Sequence, residues 1–335
     1  MISRRKCSFV ILKLMVENLD RMELVVSDVI CEAKDVLIFD LRSPSGAQLP
    51  PFEPGAHLEV HLANGLIRQY SLCNDSRERD RFRIGVGLAR ESRGGSKFLH
   101  HSQRLGSTLS VVGPRNNFPL AQDAAPSLFV AGGIGITPIM AMIRACVARG
   151  TDWRLVYCVR SRQRAAFLEE LCEIDASRVT VHADDEHKGS FLDIPDLLAQ
   201  VPESTHIYCC GPAPLMTAVE TTAEGRPASN VHFEWFTAKP AMPELALKAF
   251  TVLIRSSGQQ FEVSPGKSIL EVLEENGLSV PYSCREGLCA TCVTGVVSGT
   301  PDHRDGVLSD EEHAANDRMT ICVSRSLTET IELDL

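Results

Sequence analysis

Cys284-Arg-Glu-Gly-Leu-Cys289-Ala-Thr-Cys292 places three cysteines within nine residues, and Cys322 follows after 29 more. C-x4-C-x2-C with a distant fourth cysteine is the plant-type spacing for a [2Fe–2S] centre. Two irons each require two thiolates. A tight loop gathers three sulfurs, and a strand returning from elsewhere supplies the fourth. Gly287 is free to take a positive φ inside that loop, and the small Ala290 lets the backbone wrap closely. Loop amides can then donate to sulfur and tune the centre. A structural zinc site and unliganded core cysteines are the alternatives. Zinc knuckles prefer C-x2-C in pairs, and only one such pair exists here.

The stretch leading into the loop reads as a small α+β domain. Segments 250–254 and 260–263 have the pattern of paired strands, and 268–276 that of a helix. Ser268 and Glu271 fit a capping box, and Gly277 a C-cap. Residues 249–335 carry 6 Lys and Arg against 14 Asp and Glu, nearly all the acidic excess of a chain whose net charge is −9. That is either a solvated acidic surface or a docking face for a basic partner.

Upstream, residues 126–236 alternate short apolar strands (127–131, 153–159, 178–182, 206–209) with helical spacing (139–148, 163–174, 194–200, 215–224). Such alternation implies a parallel sheet covered by helices. Ala131-Gly-Gly-Ile-Gly-Ile-Thr-Pro138 stands at a strand-to-helix turn, where glycines let a phosphate approach backbone amides at the positive helix end. The third glycine of G-x-G-x-x-G is absent, so the turn alone decides nothing. Tyr208-Cys-Cys-Gly-Pro212 is a second strand end of the same kind, where ligands of parallel sheets bind. Residues 23–120 hold short strands (24–29, 36–41, 57–62, 68–72, 82–86, 108–112) punctuated by Gly and Pro, the pattern of a small antiparallel barrel. Within it, Arg68-Gln-Tyr70-Ser71 and Arg93-Gly-Gly-Ser96 offer a guanidinium, an aromatic face, a hydroxyl and exposed amides, a set suited to a flavin and its phosphate.

With 335 residues, 44% apolar and 23% charged, the chain has room for two or three folded domains. The acidic balance argues against nucleic acid as the main partner. No uncharged apolar stretch of about 18 residues is present, so no membrane span is expected. Twelve cysteines in a chain this long, without a convincing export signal, fit a reducing cytoplasm better than a disulfide framework. The first 22 residues read as a disordered extension or an overextended start, with Met22 as an alternative initiator. Residues 237–248 contain two prolines and read as a linker. No G-x-S-x-G or H-E-x-x-H supports a hydrolase, and His100-His101 reads as a surface or turn pair.

Together, RQYSLCND (68–75), RGGS (93–96), PRNNFPL (114–120), AGGIGITP (131–138), YCCGP (208–212), HFEWF (232–236), the cysteine loop, DHRD (302–305) and the terminal ELDL (332–335) resemble the phthalate dioxygenase reductase family, which includes vanillate O-demethylase reductases. The resemblance spans about residues 23–335. It implies a multidomain chain: an antiparallel β-barrel for FMN (23–122), an α/β parallel-sheet NAD domain (123–236) and an α+β ferredoxin-like, β-grasp [2Fe–2S] domain (249–335). It implies that Arg68, Tyr70 and Ser71 contact FMN and that Gly94, Gly95 and Ser96 hold its phosphate. Gly133, Gly135 and Thr137 are expected to line the pyridine-nucleotide site, with Cys210 and Gly211 at the nicotinamide and Phe236 near the isoalloxazine. Ser71 and Thr137, flanking the flavin, come nearest to catalytic residues. Cys284, Cys289, Cys292 and Cys322 are the expected iron ligands. The activity implied is NADH oxidation with electrons passed singly to a Rieske-type terminal oxygenase, the ferredoxin domain's acidic face serving as docking surface. NADPH stays open, because Arg160 and Arg162 follow the strand 153–159. One departure is Gly87-Leu88, where relatives often carry a basic residue. The rival reading is a non-enzymatic iron–sulfur carrier or sensor with a vestigial nucleotide fold.

Overall fold

The computed structural model describes residues 21–89, 92, 94–236 and 248–335. The expected N-terminal extension, apart from its last two residues, and nearly all of the expected linker lie outside them. The chain divides into two compact units after Glu234.

The first unit begins with strands β1 (Arg21–Ala33), β2 (Val36–Arg42), β3 (His57–His61), β4 (Ile67–Ser71), β5 (Phe82–Gly87) and β6 (Thr108–Arg115). They form one antiparallel sheet in the order β4-β3-β6-β1-β2-β5. An isolated antiparallel bridge from Leu72 to Ile84 joins the two edges, closing the barrel expected from the strand spacing. Inward alternation buries Leu24, Val26, Phe39, Leu41, Leu58, Val60, Phe82 and Ile84 in its core. Asp40, only 4% exposed, sits between Arg81 and Arg83 at 2.9 and 2.6 Å. Burial alone would raise its carboxyl, but the two guanidinium groups bring it below the ordinary value.

The same unit continues into β7 (Ser127–Gly132), β8 (Trp153–Val159), β9 (Val179–Ala183), β10 (His206–Cys210) and β11 (Val231–Glu234), an all-parallel sheet ordered β11-β10-β7-β8-β9. Helices Ile136–Arg149, Leu168–Asp175, Ile194–Ala199 and Ala213–Thr222 connect them. The helix expected at 163–174 starts later. Phe167 takes φ 61° and gives its amide to the Glu32 carboxylate at 2.7 Å, which breaks the chain out of helical geometry before Leu168. Val36, Ile38 and Cys73 of the barrel share a core with Ile136, Ile139, Met142 and Tyr157 of the parallel-sheet half. Their shared burial, not a linker, holds these halves together.

The second unit carries β12 (Phe250–Ile254), β13 (Gln260–Val263), β14 (Val293–Ser298), β15 (Pro301–Asp302), β16 (Arg318–Thr320), β17 (Arg325–Ser326) and β18 (Thr330–Leu333). The main sheet is mixed, in the order β13-β12-β18-β14-β16, with β18 parallel to β12. Helix Ile269–Glu275 buries Ile269, Leu270, Val272 and Leu273 toward that core. It opens with the expected Ser268/Glu271 capping box and ends before Gly277 at φ 76°. Among the described residues, no helix is long and apolar enough to cross a membrane.

Candidate functional site

In the parallel sheet, the crossover from β7 runs one way to β8 and the connection from β10 runs the other way to β11, so the strand order reverses between β7 and β10. Ligands of such sheets bind at the carboxyl ends of the strands beside this switch point. Gly132–Gly135 and Cys210–Gly211 occupy it. A Cβ on Gly135 would fall 2.1 Å from the Cys210 carbonyl oxygen, and one on Gly211 would fall 2.9 Å from the Gly132 Cα. Glycine at these places lets the two strand ends touch. Gly133 takes φ 53° and its carbonyl accepts from the Tyr157 hydroxyl at 3.1 Å, which fixes the turn.

Thr137 is buried, and its hydroxyl donates to the Ile134 carbonyl at 3.0 Å. Its methyl faces the barrel: a Cβ on Gly85 would meet it at 2.6 Å. A side chain at Gly87 would meet Ile134 at 3.2 Å. The glycine noted as a departure is therefore a packing position, where β5 lies flush against the nucleotide turn.

On the barrel side, Gly94 adopts φ 93° and opens a helix, Gly95–Ser102, that short-strand punctuation does not reveal. A Cβ on Gly95 would fall 2.6 Å from the Arg68 side chain. Ser96 Oγ accepts from the Ala89 amide at 3.3 Å and lies 3.0 Å from Ser92 Oγ. The Gly94 and Lys97 amides donate to Ser92 Oγ at 3.2 and 3.3 Å. A cationic side chain over a glycine-started helix end, with two hydroxyls beside it, fits a phosphate group. Tyr70 is part-buried with its phenol pushed up by burial, against the opposing influence of Arg68. His100 lies on this helix, not in a turn, and its Nε2 is 2.8 Å from the Val86 carbonyl.

The barrel and the parallel sheet meet at Ser71. Its hydroxyl, 3% exposed as a residue, donates to Glu234 Oε2 at 3.4 Å. Glu234 ends β11 in register with Cys210. The enclosed Glu234 carboxyl is pushed up to about 8 by burial, which the Ser71 hydroxyl only partly opposes. The buried Cys210 thiol is raised by burial and by that carboxylate. Ser71, Cys210 and Glu234 thus form one polar cluster in an apolar setting. Glu234 is absent from the sequence expectations, although it lies within HFEWF. Phe236, two residues past β11, is 36% exposed and falls in the second unit.

In that second unit, Arg285, Gly287 and Ala290 all take positive φ, curling the loop around the sulfurs. The need for glycine at 287 is steric as well, since a Cβ would meet Val323 at 2.6 Å and the Asp305 Cα at 2.9 Å. Cys284 Sγ receives the amides of Glu286 at 3.3 Å and Leu288 at 3.4 Å, and Cys289 Sγ that of Cys284 at 3.5 Å. Cys289 and Cys322 pull the Cys284 thiol down to about 3, and Cys322 lowers Cys292. Cys289 and Cys322 are pushed up by their sulfur neighbours and by burial. Four sulfurs linked in this way, with backbone amides donating to Cys284 and Cys289, fit an iron–sulfur centre. Among the described residues, the His, Cys, Asp or Glu trio whose ligand atoms all lie within 4.8 Å is His303, Asp305 and His313. The four cysteines form one linked set instead: Cys284 interacts with both Cys289 and Cys322, and Cys322 also with Cys292.

Fold and sites define a modular oxidoreductase: a barrel with a phosphate cradle, a nucleotide sheet opening on it, and a ferredoxin-like iron–sulfur module. Residues 129–221 match the oxidoreductase NAD-binding domain model, and 252–327 the 2Fe–2S iron–sulfur cluster binding domain model. The phenoxybenzoate dioxygenase subunit beta of Ectopseudomonas oleovorans is 45% identical over 90% of this chain and 94% of its own length. A vanillate O-demethylase oxidoreductase of Pseudomonas putida is 44% identical over 91% of this chain and 96% of its own. A solved phthalate dioxygenase reductase, described as a modular structure for electron transfer from pyridine nucleotides to [2Fe–2S], superposes with a TM-score of 0.72 at 39% identity, covering 96% of this chain and 99% of that one. The chain belongs to the phthalate dioxygenase reductase family. It is an NADH-dependent reductase that uses FMN and a [2Fe–2S] centre to feed electrons to a Rieske-type oxygenase.

Proposed function

We propose that the individual site residues divide this electron transfer as follows. Arg68, Gly94, Gly95 and Ser96 hold the FMN phosphate, Tyr70 covers the ring system, and Ser71 bonds its polar edge. Gly133, Gly135 and Thr137 bind the pyridine nucleotide from the switch point, Cys210 and Gly211 face the nicotinamide, and Phe236 belongs near the isoalloxazine. FMN, when bound, accepts two electrons together and releases them one at a time. The chain's own task is to bring nicotinamide and flavin face to face and to exclude water between them. Glu234, protonated at neutral pH, offers a donor to that dry interface without placing a negative charge there. Arg162 is engaged by Glu186 at 2.7 Å, which leaves it less available to a 2′-phosphate and supports NADH over NADPH.

The domain limits follow from the motifs: FMN barrel 23–122, NAD domain 123–236, linker 237–248 and ferredoxin domain 249–335. The acidic excess of the last segment favours docking of a basic face on the terminal oxygenase. The reaction belongs in the cytoplasm, where free thiols such as Cys31 and Cys172 persist. The observation that carries this reading is the convergence of Ser71, Glu234 and Cys210 at the meeting of barrel and parallel sheet. Anaerobic NADH titration of the full chain, with identification of the extracted flavin, tests it. Flavin and iron–sulfur bands bleach together and FMN is released. An unbleached spectrum from fully loaded protein, with NADPH also inert, overturns it in favour of a non-enzymatic carrier.

A further inference from the structure

His303, Asp305 and His313 form a cluster apart from the four cysteines. The Asp305 side chain is buried. Its Oδ2 accepts from the amides of Leu308 at 2.8 Å and Val307 at 3.3 Å, which fixes the carboxylate plane. His313 Nε2 lies 3.3 Å from Oδ1 and 3.4 Å from Oδ2, and Oδ1 is also 3.9 Å from His303 Nδ1 and 3.5 Å from Ser324 Oγ. Both ring nitrogens of His303 are buried and lack a hydrogen-bond partner. The two imidazoles stack with centroids 4.4 Å apart. A buried imidazole left unsatisfied is costly, and such a group calls for a missing partner. The neighbouring Arg304 cannot fill it, since its guanidinium is held by Asp302 at 2.5 Å.

We propose that these three side chains bind a divalent first-row transition ion of the class zinc represents. Two imidazoles and a carboxylate oxygen are a recurrent donor set for such ions, and the ligand atoms here lie within 4.8 Å of one another. The two amide bonds to Oδ2 and the hydroxyl of Ser324, itself 3.0 Å from Thr320 Oγ1, supply the outer support that ligating carboxylates require. The ion clamps helix Asp310–Ala315 to the 302–308 segment. That segment already bonds the cluster loop, through the Gly306 amide to the Gly287 carbonyl at 3.0 Å. The site therefore braces the outside of the cysteine loop without contributing an iron ligand.

The test uses full-length protein loaded with FMN and the iron–sulfur centre, freed of loose metal by chelator, and equilibrated with zinc alone. Iron and sulfide are counted beside zinc, and zinc-edge X-ray absorption reports the neighbours. The expected result is one zinc per chain with nitrogen and oxygen neighbours only. The partly exposed His313→Gln should weaken binding at least about tenfold while leaving iron and FMN content unchanged. His303→Gln should do the same, and if it fails to fold, H313Q alone decides. No zinc retained by loaded protein, sulfur in the zinc shell, or binding unaffected by H313Q each overturns the proposal.

Discussion

Replacing Glu234 by Gln removes a titrating carboxyl from the place where β4 and β11 meet. Burial raises that carboxyl from 4.5 to about 8, so between those values the folded chain keeps a proton that the unfolded chain has released. Stability then falls with rising pH by about 1.36 kcal/mol per unit. The contribution is complete below the ordinary carboxylate value and is lost as pH passes through about 8. From pH 6 to pH 9 the loss is ~3 kcal/mol, and partial solvent access to this half-buried residue reduces it to roughly 1–3 kcal/mol. E234Q has no such dependence. Urea unfolding at the two pH values, followed by the fluorescence of released FMN at fixed flavin excess, separates the two proteins. With a slope of about 3 kcal/mol per molar urea, the wild-type midpoint should drop roughly 0.3–1 M further than the variant's. Groups that titrate elsewhere shift both proteins equally and cancel. Midpoints that move in parallel would show that the carboxyl is already ionised at pH 6 and would refute the reasoning.

Gly135→Ala sets a methyl 2.1 Å from the Cys210 carbonyl, where backbone must move; a melting temperature lowered by about 1–3 kcal/mol of destabilisation and a raised KM for NADH are expected, and unchanged values for both would count against the close approach. Cys322→Ser removes the expected fourth thiolate, so iron and sulfide analysis should show the cluster lost while NADH still bleaches the flavin band. Asp40→Asn leaves Arg81 and Arg83 without their buried partner and should cost about 3–5 kcal/mol at pH 7 by thermal melting. Because the Asp40 carboxyl lies below its ordinary value, that contribution is present at neutral pH and is lost as pH falls through the lowered value, so the gap between the two proteins closes in strong acid.

The parts legible in the sequence are those whose cause is local. Ligand spacing in 284–292, the Ser268/Glu271 box and the alternation of apolar residues along β2, β5 and β12 each act within a few neighbours, and each element lies where the pattern places it. Glu234 escapes because its chemistry is made by burial and by Ser71, 163 positions away. Gly87 looks only like a missing flavin contact until Ile134 is seen against it. Helix Gly95–Ser102 hides because its start is a left-handed glycine with no side-chain cap, in a stretch whose other signals are β-rich. The His303 cluster is split between a short strand's end and a six-residue helix, so only folding reveals that the rings stack.

Strand β18 lies in the middle of the ferredoxin sheet, parallel to β12 on one side and antiparallel to β14 on the other. Thr251 pairs with Thr330, so the sheet's central seam joins segments made almost 80 positions apart. During synthesis the cysteine loop leaves the ribosome while this seam is still missing, and Cys322 itself precedes the closing strand. The sheet that carries all four cysteines closes only when 330–333 takes its place between β12 and β14. A chain stopped short of that strand holds four cysteines beside two open sheet edges, the kind of exposed edge that invites misassembly.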